Sequence, residues 1–281
     1  MTTQSARAEA FRALHARPRI FAIPNPWDAG SAKLLASLGF EALATTSAGL
    51  AFSLGKPDGE NALSRDETLA NARAIVAATP LPVSADLENC FGDAPQTCAA
   101  TIRLAAEAGL VGGSIEDATG RADRPIYPFD DAVARVKAGV AAARALSFPF
   151  TLTARAENFL HGIADLDDTI RRLVAFADAG ADVLFAPGLT TLPQIEAVVR
   201  AVAPKPVNAI MGLAGRSISL EALERIGVRR VSVGSSLARA AYSALLRAGQ
   251  EMRATGTFDF ANDAVPFGEM NAMFRRPRAD D

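Results

Sequence analysis

The sequence predicts an α/β fold, a (β/α)8 barrel filling residues 1–281 as one domain, and three observations lead there. Short apolar runs alternate with helix-length amphipathic stretches, eight times over. At 281 residues, 49% of them hydrophobic and 21% charged, the chain can bury one large core. The polar residues able to do chemistry fall where the apolar runs stop, which is where a barrel carries its active site. Strand–helix alternation implies parallel pairing through right-handed crossovers, and eight units at this length suit a closed barrel better than an open doubly wound sheet.

The elements follow in order. Ile20 to Pro24 reads as the first strand, and a helix from about Asp28 to Leu38 is stopped by Gly39. Ala42 to Thr46 is the second strand, and Ser47 to Asn61 is expected to be a long loop, a length that is usually functional. Ser64 and Glu67 form a capping box that opens a helix to Ala78. Pro82 to Leu87, Gly112 to Glu116, Phe150 to Arg155, Val183 to Ala186, Pro206 to Ile210 and Arg230 to Val233 supply strands three to eight. Helices at Pro95 to Ala108, Asp130 to Leu146, Asp165 to Ala179, Leu192 to Ala203, Ser219 to Ile226 and Ser236 to Thr255 lie between and after them. The tail from Phe258 to Asp281 holds Phe258, Phe260, Phe267, Met270, Met273 and Phe274, apolar enough to need a partner, and a neighbouring subunit is expected to supply it.

A net charge of -2, from 29 basic and 31 acidic residues, gives no reason to expect nucleic acid or an anionic membrane as partner. No apolar run approaches the roughly 20 residues that span a bilayer, so a cytoplasmic protein is expected. Cys90 and Cys98 are eight apart, without metal-finger or disulfide-framework spacing. The four lysines Lys33, Lys56, Lys137 and Lys205 leave no strand-end amine for imine chemistry, Lys56 alone lying in a loop.

The rim is the informative part. Val83 to Gly92 runs as a short strand that ends in Asp86 and Glu88 at alternate positions and then breaks. Strand one ends in Asn25 and Asp28, strand two in Thr46, Ser47 and Gly49, strand four in Glu116 and Asp117, strand five in Arg155 and Glu157, and strand seven in Asn208. Asp58, in the long second loop, can reach the same place. Asp58, Asp86, Glu88 and Glu116, with no histidine expected beside them, have the hardness that suits Mg²⁺ or Mn²⁺ over zinc. Arg155 would be a costly charge in a barrel mouth unless a substrate carboxylate, a developing enolate oxygen, or Glu157 or Glu116 satisfied it. His161, in the loop after strand five, can approach the site but reads more simply as a turn residue. Gly212, Gly215, Gly234 and Ser235 could form a phosphate cradle, a weak signal because tight turns need glycine as well.

Taken together, these motifs resemble the isocitrate lyase and phosphoenolpyruvate mutase superfamily. The resemblance runs through Asn25-Pro26-Trp27-Asp28-Ala29, Thr46-Ser47-Ala48-Gly49, Leu54-Gly55-Lys56-Pro57-Asp58, Asp86 to Gly92, Ile115-Glu116-Asp117, Ala154-Arg155 and Val231-Ser232-Val233-Gly234, in the family's order. It implies a barrel whose last helix is exchanged between subunits, in a dimer or tetramer. It implies that Asp86 binds Mg²⁺ directly while Asp58, Glu88 and Glu116 hold its waters. Ser47, Ala48 and Gly49 would grip the carboxylate of a small 2-oxo acid, with Asn208 also facing the substrate. Arg155, with Glu116 as the second catalytic group, would stabilise a pyruvate enolate as the bond at C3 breaks.

Departures narrow the substrate. The tricarboxylate lyases carry Lys-Lys-Cys-Gly-His in the loop after strand four; here Asp117 to Tyr127 has neither cysteine nor histidine. Phe185-Ala186-Pro187-Gly188 likewise lacks the glutamate those lyases place on strand six. Proton donors are then limited to Thr119, Tyr127 or His161. Glu88 stands where the family usually has aspartate, and Cys90 where it has glycine, so Cys90 is either a small buried filler or a thiol near the metal. The expected function is a Mg²⁺-dependent C–C lyase acting on a 2-oxo acid, oxaloacetate decarboxylation being one version. The alternatives are P–C chemistry on phosphonopyruvate and a barrel that binds a keto acid without turnover.

Overall fold

The computed structural model describes residues 3–212 and 217–275. A first helix, α1 (Gln4–Ala16), precedes β1 (Phe21–Ile23), α2 (Ala29–Ser37), β2 (Leu43–Ala44), α3 (Ser47–Ser53), α4 (Arg65–Ala78) and β3 (Val83–Ala85). Then come α5 (Pro95–Glu107), β4 (Gly112–Glu116), α6 (Phe129–Arg144), β5 (Thr151–Arg155), α7 (Leu166–Asp178), β6 (Val183–Phe185) and α8 (Leu192–Val202). The last units are β7 (Val207–Ile210), α9 (Leu220–Arg225), β8 (Arg230–Ser232), α10 (Ser236–Thr255) and α11 (Phe267–Phe274).

All eight strands are parallel, in the order β1-β8-β7-β6-β5-β4-β3-β2. The seam between β1 and β2 is drawn together by the Ala44 N–H, which donates to the Pro24 carbonyl at 3.1 Å. This is the (β/α)8 barrel that the alternation predicts, with strands shorter than their apolar runs. Leu87 and Val233, for instance, leave the ladder because the chain turns there to present the rim. Leucine, isoleucine, valine and alanine from strands and surrounding helices form one continuous core between the two layers. A separate cluster of Ala8, Phe11 and Leu14 with Phe21, Ile23, Ala42 and Val111 seats α1 over the N-terminal mouth. The functional face is therefore the opposite, C-terminal one.

One expected loop is partly helical. Ser47 to Asn61 begins with α3, whose N-cap Thr46 accepts from the Gly49 N–H at 3.2 Å. Gly49 weakens helix propensity, but a Cβ there would lie 2.6 Å from Thr46 Cγ2 and 2.8 Å from Trp27 Cβ, so close packing demands it. At the other end of the chain α11 packs against α2, and Lys33 Nζ donates to the Phe274 carbonyl at 3.4 Å. Apolar surface of α10 and the tail stays uncovered in the single chain: Phe267 is 86% exposed, and Leu245, Leu246, Met252 and Phe258 are exposed as well. Among the described residues no helix is long and apolar enough to cross a membrane.

Candidate active site

Strand parity builds the site. Side chains two apart point the same way, so Ser84 and Asp86, Ser114 and Glu116, and Thr153 and Arg155 pair up along β3, β4 and β5, facing inward. Arg155 sits between three acids: Nη1 lies 3.0 Å from Asp86 Oδ1 and 3.3 Å from Glu116 Oε2, and Nε lies 2.8 Å from Glu157 Oε1. It is 14% exposed and stacks over Phe185 with 5.2 Å to the ring centre. Burial alone would weaken its hold on the proton, but Glu157, Glu116 and Asp86 together raise its pKa well above the ordinary value. The ion pair foreseen for the arginine is thus a pair with three partners. Asp86 is fixed on its other side by Ser47, whose hydroxyl and N–H reach Oδ2 at 3.0 and 3.3 Å, and its own N–H donates to Thr45 Oγ1 at 3.0 Å.

A cavity of about 160 Å³ opens beside this arginine, and Asp58, Glu88, Glu116 and Glu157 all line it. With Asp86, which pairs directly with Arg155, five carboxyl groups surround one guanidinium. The consequence is visible in their protonation. Burial, then Asp86, then Asp58 push Glu88 up to about 8. Burial carries Glu116 well above the carboxylate range against the pull of Arg155, and burial with Asp86 also raises Asp58, more exposed on its loop, where the Ser47 hydroxyl opposes the shift. Glu88 Oε1 is buried with no hydrogen-bond partner.

The turn that aims Glu88 is costly and supported. Glu88, Cys90 and Phe91 all have positive φ, a conformation that costs about 1 kcal/mol or more for each side-chain-bearing residue. Asn89 Oδ1 accepts from the Phe91 N–H at 2.9 Å, and buried Arg135 on α6 donates to the carbonyls of Asn89, Gly92 and Asp93. Cys90 lies in the core against Cys98, both thiols free and buried, so Cys90 is the filler rather than a thiol at the site.

The remaining predicted residues divide. Ser47 lines the cavity, whereas the Gly49 N–H is taken by Thr46 and Ala48 lies between them in the first turn of α3. Asn208, 2% exposed, accepts from Arg230 Nε at 2.9 Å and donates to Ser232 Oγ at 3.0 Å. Asp28 caps α2, and Asp117 turns away to pair with Arg172 Nη1 at 3.0 Å. The Val233 and Gly234 N–H groups both donate to Asn25 Oδ1 at 2.9 Å, so the cradle foreseen there is internally used; Gly215 is outside the described residues. Of the three proton donors, Thr119 donates to the Arg124 carbonyl and Tyr127 to Asp93, while His161 lines the cavity. The expectation of no histidine beside the acids is corrected here: a short 3-10 turn, Asn158–His161, returns the chain toward the rim. Ser114, 3.4 Å from Asp86 Oδ1, and Arg135 escaped the sequence reading; inward parity with Glu116 was the signal for the first.

Among the described residues, no three histidine, cysteine, aspartate or glutamate side chains are close enough to form a ready metal cage. Magnesium does not demand one, because it keeps waters and uses one or two carboxylates. An orphaned buried Glu88 oxygen and an all-oxygen donor set with excess negative charge fit such a cation. A pH effect follows. Native Glu88 keeps a proton that the unfolded chain has lost above 4.5, so stability falls as pH rises from there to about 8, by at most ~5 kcal/mol. Urea midpoints of the metal-free protein should drop between about pH 5 and 8, and drop less in Glu88→Gln. Identical slopes for both proteins would remove Glu88 from this role.

A parallel barrel with acids massed around one arginine at its C-terminal rim has the design of a barrel enzyme. The chain belongs to the phosphoenolpyruvate mutase family, within the isocitrate lyase and phosphoenolpyruvate mutase superfamily: the family model for phosphoenolpyruvate phosphomutase matches residues 11–253. It is 64% identical to a crystal structure from Burkholderia cenocepacia J2315, named provisionally as a lyase/mutase, with a TM-score of 0.94 over 98% of this chain and 97% of the other. A Corynebacterium glutamicum protein named "Probable 2-methylisocitrate lyase 2" is 31% identical, over 97% of this chain and 86% of that one. Oxaloacetate decarboxylase of Bradyrhizobium diazoefficiens is 30% identical, over 76% of this chain and 77% of its own length.

Proposed function

We propose that this protein is a Mg²⁺-dependent lyase that cleaves a C–C bond of a small 2-oxo acid through a pyruvate enolate, with oxaloacetate the first substrate to test. The observation that carries this reading is the excess of carboxylates over cations around Arg155: such a site binds a hard divalent ion and then an anion that the ion recruits. Asp86 would hold the ion, with Asp58, Glu88 and Glu116 ordering its waters. When bound, Mg²⁺ would supply Lewis-acid stabilisation of negative charge on the keto oxygen.

The chain's own groups do the rest. Ser47 orients Asp86, to which both its hydroxyl and its N–H donate. Arg155, held in place by Glu157 and Phe185, puts its guanidinium where charge develops as C3 loses its substituent. In oxaloacetate the C3–C4 electron pair moves into the enolate and carbon dioxide leaves. C3 then takes a proton from His161, the imidazole on the cavity wall, and pyruvate forms. The names of the relatives, a methylisocitrate lyase and an oxaloacetate decarboxylase, support C–C chemistry; the family model's own name keeps P–C cleavage of phosphonopyruvate as the second reading. The uncovered apolar surface of α10 and the tail supports assembly as a homodimer or homotetramer.

The test is a substrate panel with Mg²⁺: oxaloacetate, phosphonopyruvate, isocitrate, methylisocitrate and other 2-oxo acids of four to six carbons, with pyruvate coupled to its reduction. Asp86→Asn controls for decarboxylation by free metal. Pyruvate release from a C–C substrate is expected; release from phosphonopyruvate alone establishes the second reading, and turnover of nothing despite metal-dependent oxalate binding leaves a keto-acid-binding barrel. His161→Gln is expected to lower kcat about 100-fold with oxalate affinity unchanged. An unaltered kcat would rule His161 out as the donor.

A further inference from the structure

One layer below the rim, a barrel is ordinarily filled by branched apolar side chains. Here the inward positions carry Ser84 on β3, Ser114 on β4, Thr153 on β5, Asn208 on β7, and Arg230 and Ser232 on β8. Small hydroxyls under-fill the space, leaving a cavity of about 90 Å³ to which all eight strand units contribute, with Asp86 and Arg155 at its upper end. That is room for several waters or one small ion.

Arg230 supplies the charge. It is 6% exposed, yet its contacts are neutral: Nε to Asn208 Oδ1 at 2.9 Å, Nη2 to Thr153 Oγ1 at 3.0 Å, and Nη1 to His15 Nε2 at 3.4 Å. His15 cannot compensate it. Its Nδ1 donates to the Phe11 carbonyl at 2.8 Å, which leaves Nε2 as the acceptor toward Arg230, and burial followed by Arg230 itself lowers its pKa to about 3. Burial pulls Arg230 down to about 9, and the charged neighbour acting on it is Arg155, of the same sign. Among the described residues no carboxylate forms an ion pair with it.

A buried cation without a counter-charge is costly, by several kcal/mol. The cavity is also rich in unused donors. A guanidinium has five N–H groups, of which these three contacts use three. Thr153 and Ser232 accept from Arg230 and Asn208, so each hydroxyl still has its own hydrogen to give. A positive wall with spare N–H and O–H groups repels a metal ion and favours an anion.

We propose that this interior cavity is a binding site for a small monovalent anion, a halide or a one-carbon oxyanion such as formate or bicarbonate, held by Arg230 together with the Thr153 and Ser232 hydroxyls. The proposed contacts, Arg230, Thr153 and Ser232, lie below the metal site, which adjoins the cavity at Asp86 and Arg155, and they do not depend on the oxo-acid reading. Its occupant neutralises Arg230 under the acid cluster and so stabilises the barrel without entering the reaction.

The test uses the whole protein treated with a chelator, so that the metal site plays no part. Thermal unfolding is followed as sodium bromide or sodium formate replaces sodium gluconate at constant ionic strength, gluconate being too large for the cavity. A saturable rise in Tm with bromide and formate is expected, and crystals grown in bromide should show its anomalous signal within hydrogen-bonding distance of Arg230 and Thr153. Thr153→Val should weaken the apparent affinity about tenfold, and Arg230→Gln should abolish it. If Arg230→Gln does not fold, the bromide crystal and Thr153→Val decide. Equal Tm values in all salts, or only water in the cavity, would overturn the proposal. So would bromide that oxalate displaces, since the cavity would then be the substrate's own pocket.

Discussion

Arg155→Met is expected to lower kcat by about 100- to 1000-fold, the usual cost of losing a donor aimed at a developing oxyanion. The same substitution should destabilise the metal-free protein by about 3–5 kcal/mol near neutral pH, because Asp86, Glu116 and Glu157 then share a buried site without their cation. Mg²⁺ should recover part of that stability, since it replaces the missing positive charge, but not the rate. Steady-state kinetics and urea unfolding with and without Mg²⁺ measure both. A kcat within threefold of the parent would show that Arg155 is only a structural counter-ion.

Asp86→Asn separates charge from shape in the same site. The amide preserves the size of the side chain and can still meet Ser47, but removes one of the site's five carboxyl groups. Metal-dependent oxalate binding should weaken by more than about 100-fold, beyond what loss of an outer partner brings. The stability of the metal-free protein should fall by no more than about 1 kcal/mol, because the remaining acids still surround Arg155. The two variants therefore share a loss of activity and differ in stability. Calorimetric titration of oxalate at fixed Mg²⁺ gives the affinity, and unchanged binding would take the metal away from Asp86.

Asp86, Glu116 and Arg155 were legible because a strand's two-residue period, counted back from a chain break, says which side chain faces the barrel mouth. Cys90 and His161 were not. Cys90 follows Glu88 and Asn89 directly, yet the left-handed turn at Glu88, Cys90 and Phe91 puts its thiol in the core beside Cys98. That turn depends on Arg135, whose guanidinium comes from a helix more than forty residues away, a contact no local pattern announces. His161 reads as a turn residue until the turn from Asn158 brings it to the wall of the cavity that the acids line.

What the sequence determined by itself is the order of strands and helices, the family, and the identity of the rim acids, all of which rest on local periodicity and on motifs that survive being read in one dimension. What only the tertiary structure decided is how charge is balanced. Five carboxylates converge on Arg155 while Arg230, one layer below, meets neutral groups alone, and these facts arise from residues on different strands brought together by barrel closure. Electrostatic energy depends on distance and burial, and neither quantity exists until the chain has closed.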